Sequence, residues 1–322
     1  MTDGKGPSVA KDGKAGRAGK SGGKAAGKKD RRKGVDTSAP APRAPLRELL
    51  RLPVGEPVDL SAYGASSILP GAPADKSAGV AAAAATAPAL AGLQERLYAA
   101  STAGDHRRLL LVLQGMDTSG KGGTVKHVIG FLNPSGCRIR AFKAPTEEER
   151  GHPFLWRVGR ALPSAGEIGI FDRSHYEDVL IARVRDLAPR EEIERRYEEI
   201  NRFEASLVDD GVTVVKVFLH LSYEEQRARL LERLDNPDKH WKFNPGDIED
   251  RALWPAYQRA YEIAMERCAT DGAPWYVVPA DRKWYRNWAI GTLLREHLEE
   301  LDPRYPKADF DVAECRRTLL AS

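Results

Sequence analysis

Residues 115–124 read GMDTSGKGGT, and the first seven of these, GMDTSGK, fit the spacing GxxxxGK. Gly115 and Gly120 would let backbone N–H groups approach an anion, and Lys121 adds a positive charge. Ser119, Gly122, Gly123 and Thr124 complete a segment able to line phosphate oxygens. The chemistry implied is phosphate binding by a P-loop, with two departures. The position after Lys121, where a Ser or Thr hydroxyl would hold Mg2+, is Gly122, so the next hydroxyl along the chain, Thr124, stands out of register. Asp117 also places a carboxylate inside a loop that should attract anions. With Mg2+ between carboxylate and phosphate the repulsion reverses, because a hard cation takes oxygen ligands from both.

A second carboxylate is expected at the end of another strand. EIGIFDRS, 167–174, supplies Asp172 in the position of a metal-binding aspartate, and Arg173 comes next, where a guanidinium could hold phosphate through paired hydrogen bonds. The alternative for Asp172-Arg173 is a strand-end cap with a surface arginine. A third segment, RARLLERLDNPDKHWKFNPGD at 227–247, concentrates Arg227, Arg229, Arg233, Lys239 and Lys242, with Pro237 and Pro245-Gly246 interrupting it. It suits a helical lid that closes over phosphates and excludes water, against the alternative of a solvated basic face. His175 reads as a packing or hydrogen-bonding residue beside the site, since in-line phosphoryl transfer needs no covalent intermediate. Trp241, Trp254, Trp275, Trp284 and Trp288 read as core or lid packing. Cys137, Cys268 and Cys315 form no CxxC or Cys/His cluster, which argues against zinc and disulfides.

The elements that must position these residues alternate. RLLLVLQG (108–115), CRIRAFKAP (137–145), EIGIFDRS (167–174), VTVVKVFLHL (212–221) and PWYVVPA (274–280) read as strands. Between them KGGTVKHVIGFLN, PREEIERRYEEINRFEASLVDDG and KWYRNWAIGTLLREHLEEL read as helices, the second bounded by proline and glycine. TEEE (146–149) and SYEE (222–225) fit capping boxes. The class expected is α/β, a mostly parallel sheet with helices on both faces.

The chain has 322 residues, 30% of them charged, with a formal net charge of +4. Residues 1–43 carry 12 Lys/Arg and 4 Asp/Glu, and the remainder carries 38 against 42. The body is therefore net acidic, which disfavours a broad nucleic-acid face. Residues 1–45 are expected to be a disordered basic tail, either a solubilising linker or an arm for a polyanion. Residues 46–106 are expected to be an extension and linker with a helix near 93–101. A P-loop domain is placed at 107–305, with the lid about 227–247 and a C-terminal extension at 306–322. The alanine-rich stretch 78–93 reads as a linker or weak helix, not a membrane span, because it is short and broken by Pro88. With no targeting or spanning segment, the cytoplasm is the expected location.

Asp117 in its loop, DRSHYED after the third strand and NPDKHWKF in the lid occur together, and this combination resembles the family-2 polyphosphate kinases. The stretches NPSGCRIRAFKAPTEEERGHPFLWR and PWYVVPADRKWYRNW are also similar to that family, so the resemblance spans roughly residues 90–305. It implies a P-loop kinase-like fold with a helical lid, and transfer of a terminal phosphoryl group from inorganic polyphosphate to a nucleotide, AMP or ADP giving ADP or ATP, with Mg2+. By motif position, Asp117 and Asp172 would serve the metal, and Lys121 and Arg173 the transferred phosphate. Arg229, Arg233, Lys239 and Lys242 would serve polyphosphate or nucleotide phosphates. SHYEDVL looks like the branch that accepts both nucleotides, and homo-oligomers are implied by resemblance alone. Two rival readings are an ATP-dependent nucleoside or nucleotide kinase, and a nucleic-acid-binding protein acting through its tail.

Overall fold

The computed structural model describes residues 44–322; the expectation of disorder for the first 43 residues lies outside the described residues. Five strands, β1 (Arg108–Gln114), β2 (Cys137–Ala141), β3 (Ile168–Asp172), β4 (Val212–His220) and β5 (Trp275–Pro279), form one sheet. Its order is β2-β3-β1-β4-β5 and every neighbouring pair is parallel. The longer helices, in chain order, are α1 (Lys76–Ser101), α2 (Lys121–His127), α3 (Glu177–Val184), α4 (Arg190–Asp209), α5 (Tyr223–Asp235), α6 (Gly246–Ala252), α7 (Trp254–Cys268), α8 (Lys283–Leu301) and α9 (Val312–Ala321).

Residue alternation along the strands builds two apolar layers. Leu109, Leu111 and Leu113 of β1 face α1 and α8, together with Ile168, Ile170, Val215 and Val217. Leu110 and Val112 face α3, α4 and α7, together with Phe171, Val214 and Phe218. A sheet buried on both faces needs near-continuous apolar strands, which is what RLLLVLQ and VTVVKVFLH are. Leu113 is in register with Asp172, and the order reverses on either side of β1, so a crevice opens beyond the carboxyl ends of β1 and β3.

In the region before β1 the helix expected near 93–101 is present but much longer. The alanine-rich stretch lies within the 26-residue helix α1, capped by Asp75 Oδ1 on the amide of Ala78 and continuing through Pro88. Alanine is the best helix former, and Leu90, Leu93 and Leu97 recur on one buried stripe. Gly79 lets the helix approach α8, since a Cβ there would sit 2.2 Å from the Trp284 ring. The helical turn Leu46–Leu50 also buries two leucines, and Leu52 donates its amide to Trp275, covering the β5 edge. Residues read as extension and linker thus complete one face of the core.

Other elements are shorter than their sequence pattern. α2 stops at His127 and yields to a 3-10 turn, as two glycines and several β-branched residues lower its propensity. Thr146 and Glu149 make both capping-box bonds, but that helix ends after four residues, before Pro153. Ser222 accepts from the amide of Glu225, but the Glu225 carboxylate pairs with Arg229 and does not complete the box. No helix among the described residues is long and apolar enough to cross a membrane.

Candidate active site

The loop between β1 and α2 lies at the reversal of strand order. Gly115 and Gly120 have φ of +145° and +109°, a region L side chains avoid, and Thr118 is held at +65°. That strain in a loop at the end of a buried strand marks a functional position. Lys121 is buried at the start of α2, and its Nζ donates to the carbonyls of Gly115 (2.7 Å) and Met116 (3.3 Å). Burial pulls its pKa down and Arg173 adds to this, against the pull of Asp117, Asp172 and Glu177. Ser119 and Thr124 are fully buried, and their hydroxyls, with that of Thr118, lack a hydrogen-bond partner. Gly122 faces open space, with nothing near that a side chain would meet.

Asp117 is not isolated. Arg173 Nη2 donates to its Oδ1 at 2.7 Å, and Arg173 itself sits at φ +64° just past β3, its amide bonded to the carbonyl of Leu113. Burial pushes the Asp117 carboxyl up, but Lys121 and Arg173 outweigh it and hold it below its usual 3.8. Burial opposes the Arg173 charge too, and Glu177 and Asp117 more than restore it. Asp172 ends β3, partly exposed, and makes no side-chain ion pair among the described residues.

Glu177 lies within DRSHYED, but the sequence assigns it no role of its own. It lies one turn beyond Arg173, 3.9 Å from the guanidinium and 18% exposed. Burial raises its pKa above the usual 4.5, and Arg173 and Lys121 recover only part of the shift. A carboxyl with a raised folded pKa opposes folding once ionised, and this penalty vanishes below its unfolded value. Glu177→Gln is therefore expected to melt higher than the unsubstituted chain at alkaline pH, with the difference shrinking as pH falls toward 4.5. Thermal melts across pH test this; a variant less stable at every pH would make Glu177 a net stabilising ion-pair partner.

The lid segment is α5, a 3-10 turn Pro237–Lys242, and α6. With the loop it borders a basic pocket of about 240 Å3 whose walls include Arg233, Lys239, Lys242, Lys283 and Arg286. Arg233 donates to the Lys242 carbonyl and to Asp247, and Lys239 pairs with Glu232. Arg229 also reaches this wall, but its guanidinium is engaged with the loop and α8 approach. It donates to Glu225, to the carbonyls of Thr118 and Ser119, and to those of Ala280 and Asp281. Arg229 is thus a strut between lid helix and phosphate loop, where the sequence suggested a direct anion ligand. Arg227 does not line the pocket. Arg286 does, and spacing gives no sign of it, because the long gap from Lys121 is closed only by the fold. Trp241, expected to pack, is 79% exposed with Lys242 over its ring.

On the other side of Arg173 and Glu177 lies a larger cavity of about 880 Å3, lined by Phe142, Phe154, His152, Arg157 and Arg196 among others. The two openings flank a small cleft walled by Gly115, Asp117, Arg173 and Glu177. His175 faces neither. Its ring is buried and meets Glu204 at 3.1 Å, within a network where Lys216 Nζ bonds Glu204, the Tyr176 hydroxyl and the Cys268 carbonyl. His175 is therefore a buried hydrogen-bonding residue that anchors the turn carrying Arg173.

This arrangement brings together a strand and its loop, the paired Asp117 and Arg173, a basic pocket and a ring-lined cavity. The sequence profile of the family described as Polyphosphate kinase 2 (PPK2) matches residues 74–306. An AMP/ADP-polyphosphate phosphotransferase of Meiothermus ruber is 52% identical over 217 residues, 67% of this chain and 80% of that protein. An ADP-polyphosphate phosphotransferase of Rhodopseudomonas palustris is 40% identical over 230 residues, 68% of this chain and 78% of that protein. The crystal structure of a polyphosphate kinase 2 from Arthrobacter aurescens TC1 superposes with a TM-score of 0.83 at 48% identity, covering 86% of this chain and 97% of that one. The profile takes in α1 as well as the sheet, the phosphate loop and the lid, and on that extent the chain belongs to the polyphosphate kinase 2 family.

Proposed function

We propose that this protein transfers the terminal phosphoryl group of inorganic polyphosphate to a nucleoside monophosphate or diphosphate, reversibly. The observation that carries this reading is the contrast between the two openings. The basic pocket beside the phosphate loop has His127 as its only ring among the lining residues, and Glu232 as its only acid. A donor that is phosphate throughout needs cations and no base platform. ATP as donor would need a place for adenine beside the loop, so an ordinary nucleotide kinase fits less well. The larger cavity, with Phe142, Phe154 and His152 among its arginines, suits a nucleotide acceptor.

The chain's own groups supply positioning and charge. The loop amides and Lys121 hold the terminal phosphoryl, and Arg173 stands between donor and acceptor. An acceptor phosphate oxygen attacks the terminal phosphorus in line, the bond to the bridging oxygen breaks, and the shortened chain leaves carrying that electron pair. The attacking oxygen is already ionised, so no side chain has to take a proton. Asp117, Asp172 and the unpartnered, buried Thr124 hydroxyl are the hard oxygen donors near the loop that would serve Mg2+. When bound, the ion would neutralise charge on the phosphates. Polyphosphate and nucleotide are the partners this reading requires, the cytoplasm is the compartment that supplies them, and assembly into homo-oligomers fits the family.

The test incubates the purified chain with Mg2+, polyphosphate and either AMP or ADP, without ATP, and tracks nucleotides by chromatography. ATP from ADP is expected, and ADP and then ATP from AMP. Failure of both, with turnover on ATP and a nucleoside or nucleotide, would install the ordinary kinase in its place.

A further inference from the structure

The glycines after Lys121 are unusual for a P-loop, and the fold gives one of them a reason. A Cβ on Gly120 would lie 1.7 Å from Arg286 Nη1, and a Cβ on Gly123 would lie 2.7 Å from Arg286 Nη2. The guanidinium of α8 is seated directly on the loop and on the first turn of α2. Arg286 is 3% exposed. It makes no ion pair with a carboxylate among the described residues; Nη1 donates to the Ser119 carbonyl, and Nε and Nη2 to the side chain of Asn287. An arginine has five N–H donors, so two remain unengaged in the wall of the basic pocket. Arg229 offers the contrast: five acceptors meet its donors, and it already ties the loop to the lid. Burial pulls the Arg286 pKa down to about 10, and the neighbouring Arg229 adds to the effect. A buried cation without a counter-charge is costly, and an anion delivered to the loop would relieve it.

We propose that Arg286 is a donor-binding residue that engages inorganic polyphosphate at the phosphate loop, and that Gly123 is glycine because the guanidinium occupies the space above it, as it does above Gly120, which its φ of +109° already requires to be glycine. This rests on the reading of polyphosphate as the donor. Arg286 contacts the donor chain beside the group held by Lys121, so its loss acts on the donor and not on the nucleotide. Gly123 permits that contact: a methyl group there pushes the guanidinium off the loop.

Three variants of the full chain test this: Arg286→Met, Arg286→Lys and Gly123→Ala. The measurements are initial rates against polyphosphate and against nucleotide, melting temperature, and calorimetric binding of tripolyphosphate without acceptor. Arg286→Met is expected to raise the KM for polyphosphate by about tenfold or more, as the loss of charge-assisted hydrogen bonds implies, with the nucleotide KM nearly unchanged. Tripolyphosphate binding should weaken in parallel, Arg286→Lys should restore part of it, and Gly123→Ala should move in the direction of Arg286→Met. If Arg286→Met fails to fold, the Arg286→Lys and Gly123→Ala variants carry the test. Lower melting temperatures with unchanged polyphosphate KM and unchanged tripolyphosphate binding would overturn the proposal and leave Arg286 a strut like Arg229. An unsubstituted chain that binds tripolyphosphate through Arg286 but turns over no polyphosphate would sink the functional reading and leave this site standing.

Discussion

Lys121→Met is expected to lower the rate of phosphoryl transfer by about three orders of magnitude, with the melting temperature held or raised. Lys121 is buried against the loop carbonyls of Gly115 and Met116 and stands in the repulsive field of Arg173. Methionine fills similar volume without a charge to desolvate, so the folded state loses two hydrogen bonds and sheds a buried cation. The transition state has no such compensation. Charge spread over the transferred group must be met at fixed positions, and Arg173 is already paired with Asp117. Arg286 is seated over Gly120 and Gly123 and bonded to the Ser119 carbonyl, so it does not make the contacts Lys121 makes with Gly115 and Met116. Single-turnover rates with saturating polyphosphate check this, since they exclude product release. Turnover within a few-fold of the unsubstituted chain would remove the loop from the chemistry, whatever the melts showed.

Much of this site could be read before the fold. Gly115 and Asp117 follow the end of β1, Asp172 ends β3 and Lys121 opens the helix after the loop, and a buried parallel strand announces itself by an unbroken apolar run. Topology alone then puts the residues just past each strand end at the sheet's carboxyl edge. The less legible parts depend on distances across the fold. Arg229 and Arg233 are one helical turn apart and look equivalent in sequence. One turns inward to loop carbonyls, and the other faces Lys242 and Asp247 at the pocket wall. Arg286 and Gly123 are separated by more than half the domain and meet only because α8 packs beside α2. Helix α1 was obscured for another reason. Alanine gives little hydrophobic contrast between the faces of a helix, so periodicity fades where helix propensity is highest.

Asp117→Asn separates the two tasks that Asp117 is positioned to perform. As the partner of Arg173 at 2.7 Å it fixes a guanidinium whose backbone is already in the left-handed region. An asparagine oxygen can accept that same bond, so this task would largely survive the substitution. As a ligand of the proposed Mg2+ it would supply charge, and asparagine supplies none. If the metal task dominates, the rate falls by about two orders of magnitude and the Mg2+ concentration for half-maximal rate rises. If anchoring Arg173 dominates, the rate drops only a few-fold and the Mg2+ dependence stays where it was. The loss should also be flat around neutral pH, because Lys121 and Arg173 hold the Asp117 carboxyl ionised from below its usual 3.8 upward. Its contribution to stability has the same sign: present above 3.8 and lost as pH falls through the depressed folded value. A Mg2+ titration of the rate, repeated at several pH values, distinguishes the cases. A carboxylate inside an anion-binding loop is a contradiction only while it is considered alone; with Arg173 paired to it and, on the proposed reading, a divalent cation on its other side, it would be the negative charge that lets two positive groups stand close to the same phosphate.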